Sequence, residues 1–172
     1  MLTWKRVRNS TTENVEFFLF NKCLHENLSD GECIISFDPS YIPKSGKHTQ
    51  GLGKFWSGCL GKVSKGLEVS SFASVGLQSK TAMHLIAKQT LVTQPDQNLV
   101  DYYVDFLKES APKLLEVSKI LVADSYFSKG KYVSIACDLG FTLVSKLPSK
   151  LKFINYVFKS NSYFMMQNSL QD

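Results

Sequence analysis

The sequence contains no apolar run long enough to span a membrane. No stretch of about 18 or more apolar residues occurs, and the opening residues, MLTWKRVRNS, lack the long apolar segment of a signal peptide. These two absences predict a soluble, cytoplasmic protein that makes no membrane contact.

Metal-binding cysteine motifs are also lacking. The four cysteines, Cys23, Cys33, Cys59 and Cys137, include no CxxC pair. The spacing of Cys23, His25 and Cys33 fits no tetrahedral zinc motif. We expect all four cysteines to be reduced and to serve as packing residues.

The length and the net charge of the chain indicate how many domains it forms and which partners it favours. A chain of 172 residues with 44% hydrophobic content can bury one core, which favours a single domain. Twenty Lys and Arg against fifteen Asp and Glu give a formal net charge of +5 and a pI near 9.0. This small surplus favours polyanionic partners without establishing a contact with them.

The most informative stretch begins with a short apolar run that ends on an acid. Residues 34–37 (IISF) run directly into Asp38, and the chain then breaks at Pro39, Pro43 and Gly46. This pattern is typical of a buried strand that presents a carboxylate at its end. The alternative, that Asp38 only starts an Asp-Pro turn, stays open.

The loop that follows is basic and rich in glycine. Its candidate phosphate ligands are Lys44, Lys47, His48 and Lys54. A carboxylate beside cationic, flexible backbone suits a metal ion together with a phosphate.

Other patterns predict the surrounding elements. A capping signal at residues 10–13 favours a helix over about 12–27, and alternation favours strands at 54–60 and 67–75, joined by a turn at 61–66. Residues 81–91 are ambiguous between a short helix and a loop. Farther on, one face of a predicted helix carries Leu99, Tyr103, Phe106 and Leu107.

A second apolar run repeats the arrangement around Asp38. Residues 119–123 (KILVA) predict a fully buried strand that ends directly on Asp124. Ser128 is the predicted N-cap of a helix over 129–139, Gly140 is its stop, and residues 141–147 form one more strand.

Two central strands that each deliver an aspartate can bring their carboxylates together in one sheet. Clustered carboxylates repel each other and need a divalent cation between them, and oxygen ligands suit Mg²⁺ or Mn²⁺. A pair of such ions is a common device for in-line attack on a phosphodiester. Because aspartate is common after strands, a chance occurrence of Asp38 and Asp124 remains the alternative.

Three blocks of the chain resemble the DDE-type transposases of bacterial insertion sequences. They are FDPSYIPKSGKHTQGLGKFWSGCLGKVSKGLEVS, HLIAKQT and LVADSYFSKGKYVSIACDLGFTLVSKL, and the similarity covers about residues 30–147. The resemblance implies an α/β fold, a ribonuclease-H-like mixed sheet with flanking helices whose elements open in the order β-β-β-α-β-α. Asp38 matches the family's first catalytic and metal-binding aspartate, and Asp124 matches the second.

The resemblance also implies a reaction and its partners. In that family, Mg²⁺ or Mn²⁺ ions held by the acids activate water to nick DNA, and then activate the freed 3′-hydroxyl to attack target DNA. The expected partners are DNA (transposon ends and target) and, as a possibility, a second copy or a full-length transposase, in a bacterial cytoplasm at the nucleoid. The expected DNA-binding residues are Lys44, Lys47, His48, Lys54, Lys129 and Lys131.

The chain departs from the family pattern at its third acid. The family places a catalytic Glu on a later helix, whereas here no acid lies between Asp138 and the terminal Asp172. We therefore expect a truncated and inactive copy, which lacks the last catalytic helix and cannot complete the reaction alone. The alternative is a non-enzymatic nucleic-acid-binding or dimerising remnant that modulates a full-length transposase.

The expected domain organisation follows the extent of the resemblance. Residues 1–30 form an N-terminal helical segment, residues 31–147 the ribonuclease-H-like core, and residues 148–172 a divergent tail.

Overall fold

In the part of the chain that the structure describes, the framework is a six-stranded mixed sheet flanked by three helices. The computed structural model describes residues 17–28, 31–46, 48–91 and 98–146. In chain order the elements are α1 (Phe17–Leu28), β1 (Cys33–Pro43), β2 (Gly53–Ser57), β3 (Lys62–Gly76), β4 (Ala82–Gln89), α2 (Leu99–Leu114), β5 (Ile120–Ala123), a 3₁₀ turn (Ser125–Phe127), α3 (Gly130–Asp138) and β6 (Thr142–Ser145).

The strands combine a hairpin region with a parallel region. The order across the sheet is β2-β3-β1-β5-β6, and β4 also pairs with β3. β1 is antiparallel to β3 but parallel to β5, and β5 is parallel to β6. Parallel neighbours need a crossover connection, which α2 and α3 supply. The mixed α/β sheet with flanking helices that the sequence predicts is therefore confirmed, with β4 as an additional strand before the first crossover helix.

β3 is longer than its sequence pattern predicts. The predicted turn at 61–66 is wrong, because the turn occupies residues 58–61 and β3 begins at Lys62. Gly66 lies within the strand, where an added Cβ would stand 2.5 Å from the Ile42 carbonyl oxygen and 2.5 Å from the Tyr41 ring. Gly66 therefore allows close packing between strands. From sequence alone, a glycine of this kind looks the same as a glycine in a turn.

Two further segments are extended where the sequence favours other conformations. Residues 82–89 form β4 rather than a helix or loop, because Val69 to Val75 of β3 provide a pairing edge for them. β1 continues past Pro39 to Pro43, so Asp38 lies within the strand rather than at its end. β5 pairs with β1 only as far as Phe37. Pro39, which has no backbone N–H to donate, is therefore tolerated within β1, because no strand of the described residues pairs with it on the β5 side.

One face of the sheet is covered by α2. The predicted face of this helix is confirmed, since Tyr103, Phe106 and Leu107 are buried and Leu99 packs against the same core. In the sheet, the buried face of β3 carries Phe72 together with the polar residue Glu68. The core is therefore aromatic but includes an acid.

Several terminal predictions fall partly outside the described residues. α1 is described from Phe17, so the expected start near residue 12, the boundaries at 30 and 147 and the tail at 148–172 stay predictions.

Cys23 and Cys59 are exposed, and their expected packing role is wrong, whereas Cys33 and Cys137 are half-buried. Of the helices in the described ranges, none is both long and apolar enough to cross a membrane.

Candidate active site

The two predicted aspartates lie side by side on neighbouring parallel strands. Phe37 of β1 is in register with Ala123 of β5, and each is followed directly by an aspartate, Asp38 or Asp124. Because residues in register on parallel strands lie at the same level of the sheet, the residues that follow them, Asp38 and Asp124, also lie at one level. The pairing that the sequence predicts is present in the structure.

Hydroxyl groups from the adjoining strands fix the backbone at both aspartates. The Ser71 Oγ donates to the Asp38 carbonyl oxygen at 3.3 Å, and the Ser145 Oγ donates to the Asp124 carbonyl oxygen at 2.7 Å. The Asp124 Oδ1 accepts a hydrogen bond from the Tyr126 backbone N–H at 2.8 Å, which caps the 3₁₀ turn. One Asp124 oxygen therefore has a partner inside the protein, and this contact limits the rotation of its carboxylate.

The two carboxylates interact electrostatically. Loss of hydration raises the pKa of Asp38, and the negative charge of Asp124 raises it further. Although the Asp38 side chain is exposed, its surroundings disfavour its ionised form. A cation between the two groups would relieve this repulsion.

An aromatic cluster supports both aspartates from the buried face. Phe37, which precedes Asp38, packs edge-to-face against Phe127 of the 3₁₀ turn at 4.9 Å between centroids. Tyr103 of α2 contacts both rings, at 5.8 Å from Phe37 and 5.3 Å from Phe127. The two acid-bearing segments are thus held against the same side chain of α2, that of Tyr103.

A third acid near this cluster is absent from the sequence-based prediction. Glu68 of β3 is 5% exposed, and its Oε1 accepts a hydrogen bond from the Tyr103 hydroxyl at 2.7 Å. Burial raises the pKa of Glu68, and the charge of Asp38 raises it further, against the opposing effect of hydrogen bonds from Tyr103 and Thr90. The available signal was the alternation of residues 67–75, in which Glu68 shares a face with Phe72.

The carboxylates of Asp38 and Asp124 are chemically suited to coordinate a divalent cation as two protein ligands. Asp38 and Asp124 supply the hard oxygen atoms that Mg²⁺ and Mn²⁺ prefer. The pKa of Asp38 is raised first by loss of hydration and second by the charge of Asp124, and a bound cation would offset the second effect. Within the described ranges, no group of three His, Cys, Asp or Glu side chains is placed to hold a metal ion. Glu68 is accordingly a buried neighbour of the pair rather than a third ligand.

The predicted cationic residues occupy different surroundings. Lys44, His48 and Lys54 are exposed, and Lys47 lies outside the described residues. Lys131 forms an ion pair with Asp101 of α2, so its charge is already matched.

Lys129 lies close to the second aspartate in the chain. Its Nζ stands 3.6 Å from the centroid of the Tyr126 ring, and the Tyr126 N–H binds Asp124. Of the six predicted cationic residues, Lys129 is the one that the described contacts connect to the aspartates.

No protein-family profile and no curated protein sequence matches this chain. Among solved structures, it is similar to Endonuclease V of Ciona intestinalis in complex with DNA that contains an inosine followed by a ribo-adenosine, with 10% identity over 78% of this chain and 57% of that one, at a TM-score of 0.43.

A second structure of that enzyme, an aspartate-to-asparagine variant also bound to inosine-containing DNA, gives the same TM-score of 0.43. Its identity is 12% over 88% of this chain and 61% of that one. The chain therefore spans less than two thirds of both structures. A likeness of this size assigns no function to it.

Proposed function

We propose that this chain is a DNA-processing domain of the DDE transposase type, which holds a divalent cation between Asp38 and Asp124 and acts on phosphodiester bonds. The observation that carries the proposal is the placement of the two aspartates, one residue beyond the Phe37–Ala123 register pair of two parallel strands. The sequence blocks around the same two aspartates resemble that transposase family, which supports the finer assignment.

Each residue of the site has a separate task in this proposal. Asp38 and Asp124 hold the cation, the pairing of β1 with β5 places them side by side, and the hydroxyls of Ser71 and Ser145 each bind the backbone of one aspartate. A divalent cation bound there supplies a Lewis acid that polarises a phosphodiester and lowers the pKa of a water molecule. Lys129, beside the 3₁₀ turn, adds positive charge for a phosphate.

We expect nicking of DNA rather than complete strand transfer. The described part of the chain offers two acids to the ion, and a two-metal reaction depends on well-fixed coordination of both ions.

The test is nicking of supercoiled plasmid by the purified chain in Mg²⁺ and in Mn²⁺. We expect metal-dependent nicking that Asp38→Asn and Asp124→Asn each reduce by a factor of at least about 100, since each removes one of the two ligands. The matched control is Asp105→Asn, because Asp105 is an exposed acid of α2 whose recorded ion pair is with Lys108 on the same helix. Nicking that survives both site substitutions would disprove the proposal, as would its absence from folded wild-type protein.

A further inference from the structure

The segment between the first aspartate and Glu68 is strongly cationic. Residues 39–67 contain five lysines and no Asp or Glu. Most of this charge lies on a hairpin arm, defined here as residues 53–66, in which β2 pairs with the first residues of β3 around a turn at 58–61. Such a segment has no internal counter-charge and therefore attracts polyanions.

The hairpin arm also exposes large apolar side chains. Trp56 is 61% exposed, Val63 is 58% exposed and Leu60, in the turn, is 57% exposed. Trp56 and Val63 are directly opposite each other in the antiparallel register. Neighbouring apolar side chains exposed in this way are typical of a binding surface.

Two of the arm's three lysines share one face with the tryptophan, whereas Lys62, opposite Ser57, lies on the other face. Lys54 is directly opposite Lys65, and side chains two residues apart on a strand point to the same side. Lys54 and Trp56 on β2 therefore lie on one face together with Val63 and Lys65 on β3.

This face is continuous with the face that carries the first aspartate. Lys65 and Ser71 are six residues apart on β3 and share a face, and Ser71 is directly opposite Asp38 on β1. At about 3.3 Å per residue, the two levels of the strand are roughly 20 Å apart. A linear ligand on the arm can therefore extend along the sheet toward the aspartates.

The arm holds its lysines together at a cost. Like charges directly opposite each other on adjacent strands are destabilising, yet the base of the arm is fixed in place. The Tyr41 hydroxyl donates to the Lys65 carbonyl oxygen at 2.8 Å, and the Tyr41 ring lies against Gly66. An anion bound across Lys54 and Lys65 would offset their repulsion.

We infer that the exposed face of the hairpin arm binds a single nucleic-acid strand, with a base stacked on Trp56 and phosphates contacted by Lys54 and Lys65. This inference rests on the proposed function in taking the ligand of the chain to be nucleic acid. An exposed indole supplies a stacking platform for an unpaired base, and flanking lysines follow the backbone. A second copy of the chain is disfavoured as the occupant, because two cationic arms repel each other.

The test measures binding by the full chain in EDTA, which removes the cation that cleavage would need. A Trp4→Phe background leaves Trp56 as the sole tryptophan, so quenching of its fluorescence by an unlabelled 20-nucleotide DNA strand reports stacking directly. In parallel, anisotropy of the same strand and of its duplex, each fluorescently labelled, gives affinities across a salt series.

We expect the single strand to quench Trp56 and to bind more tightly than the duplex. Trp56→Ala weakens single-strand binding about tenfold or more, whereas Trp56→Tyr, which keeps an aromatic ring, restores most of it. Lys54→Gln with Lys65→Gln lowers the slope of log affinity against log salt by about 1.4, since each phosphate contact contributes about 0.7.

The matched control is Lys80→Gln with Lys119→Gln. Both lysines are exposed and distant along the sheet from the arm, at the β3–β4 turn and before β5, so the pair removes the same charge. Four results would each overturn the inference. They are unquenched Trp56 fluorescence, an unchanged affinity for the single strand in Trp56→Ala, and a loss of affinity in the control pair equal to that of Lys54→Gln with Lys65→Gln. The fourth is binding to anionic lipid vesicles as tight as binding to the single strand. Thermal unfolding of every variant establishes that it is folded.

The nicking assay distinguishes a failure of the arm from a failure of the active site. If the arm variants bind normally while nicking still requires Asp38 and Asp124, the inference about the arm is wrong and the proposed function stands. If the arm variants lose strand binding while nicking is independent of the aspartates, the arm is a binding surface and the proposed function is wrong.

Discussion

At the scale of single residues, the position of each aspartate depends on the residue before it. Phe37 and Ala123 are 2% and 8% exposed, and alternation along a strand therefore directs Asp38 and Asp124 away from the covered face. Burial of a side chain as large as that of Phe37 contributes about 2 to 3 kcal/mol. Burial of the preceding residues thus fixes which way the carboxylates point.

Glu68 is the residue whose surroundings conflict most with its charge. Its pKa is raised from an ordinary value of 4.5, chiefly by burial, so the folded protein binds this proton more tightly than the unfolded chain does. At pH values between 4.5 and the raised pKa, the folded state holds more protons than the unfolded state. The free energy of unfolding therefore falls as the pH rises through this range. The stabilisation that comes from protonated Glu68 is fully present below pH 4.5 and is lost above the raised pKa.

Replacement of Glu68 by glutamine removes this pH dependence. Glu68→Gln keeps an oxygen that can accept from the Tyr103 hydroxyl but does not titrate. We expect its free energy of unfolding to fall less than that of wild type between about pH 4 and about pH 8. Urea unfolding at a series of pH values measures the difference, with the exposed Glu32→Gln as the control. Parallel curves for Glu68→Gln and wild type would show that Glu68 ionises normally.

At the scale of elements, β3 connects the hairpin arm, the first aspartate and the core. Its fifteen residues pair with β2, β1 and β4 in turn. Gly66 is the point at which β2 and β1 meet β3 from opposite sides, since it is in register with both Gly53 and Pro43. A side chain there would separate β1 from β3.

Gly66→Ala tests this close approach. The added Cβ would stand 2.5 Å from a backbone oxygen, that of Ile42, and such an atom cannot move aside as a flexible side chain can. We expect the free energy of unfolding to decrease by about 1 to 3 kcal/mol. Gly58→Ala, in the turn, meets nothing within 4 Å and should change it by less than about 0.5 kcal/mol. Chemical denaturation of both variants gives the comparison, and equal values would argue against steric packing at Gly66.

At the scale of the whole molecule, the described residues form a hydrophobic core between α2 and the face of the sheet that it covers. Leu107 of α2 is fully buried at 0% exposure, whereas Leu77, at the β3–β4 turn, is 49% exposed. We expect Leu107→Ala to lower the free energy of unfolding by about 2 to 5 kcal/mol, and Leu77→Ala to change it by less than about 0.5 kcal/mol. Urea denaturation measures both, and a small effect at Leu107 would mean that α2 does not cover the sheet.

The sequence by itself determined the elements that carry strong local signals. The apolar run before Asp124 predicted β5, but the expected full burial is wrong, because only Leu121 and Ala123 of this strand are buried. The spacing of Tyr103, Phe106 and Leu107 predicted the covered face of α2, and Gly140, at φ +96, ends α3 as its position predicted. These signals are local, because strand alternation and helical periodicity depend on neighbouring residues.

Only the tertiary structure decided what depends on pairing between distant segments. β4 is a strand because β3 offers it an edge, Gly66 serves packing rather than a turn, and the register of β1 with β5 places Asp38 beside Asp124. Glu68 joins the core because Tyr103, 35 positions along the chain, donates a hydrogen bond to it. No local pattern contains these partners, since each contact joins residues that only the folded chain brings together.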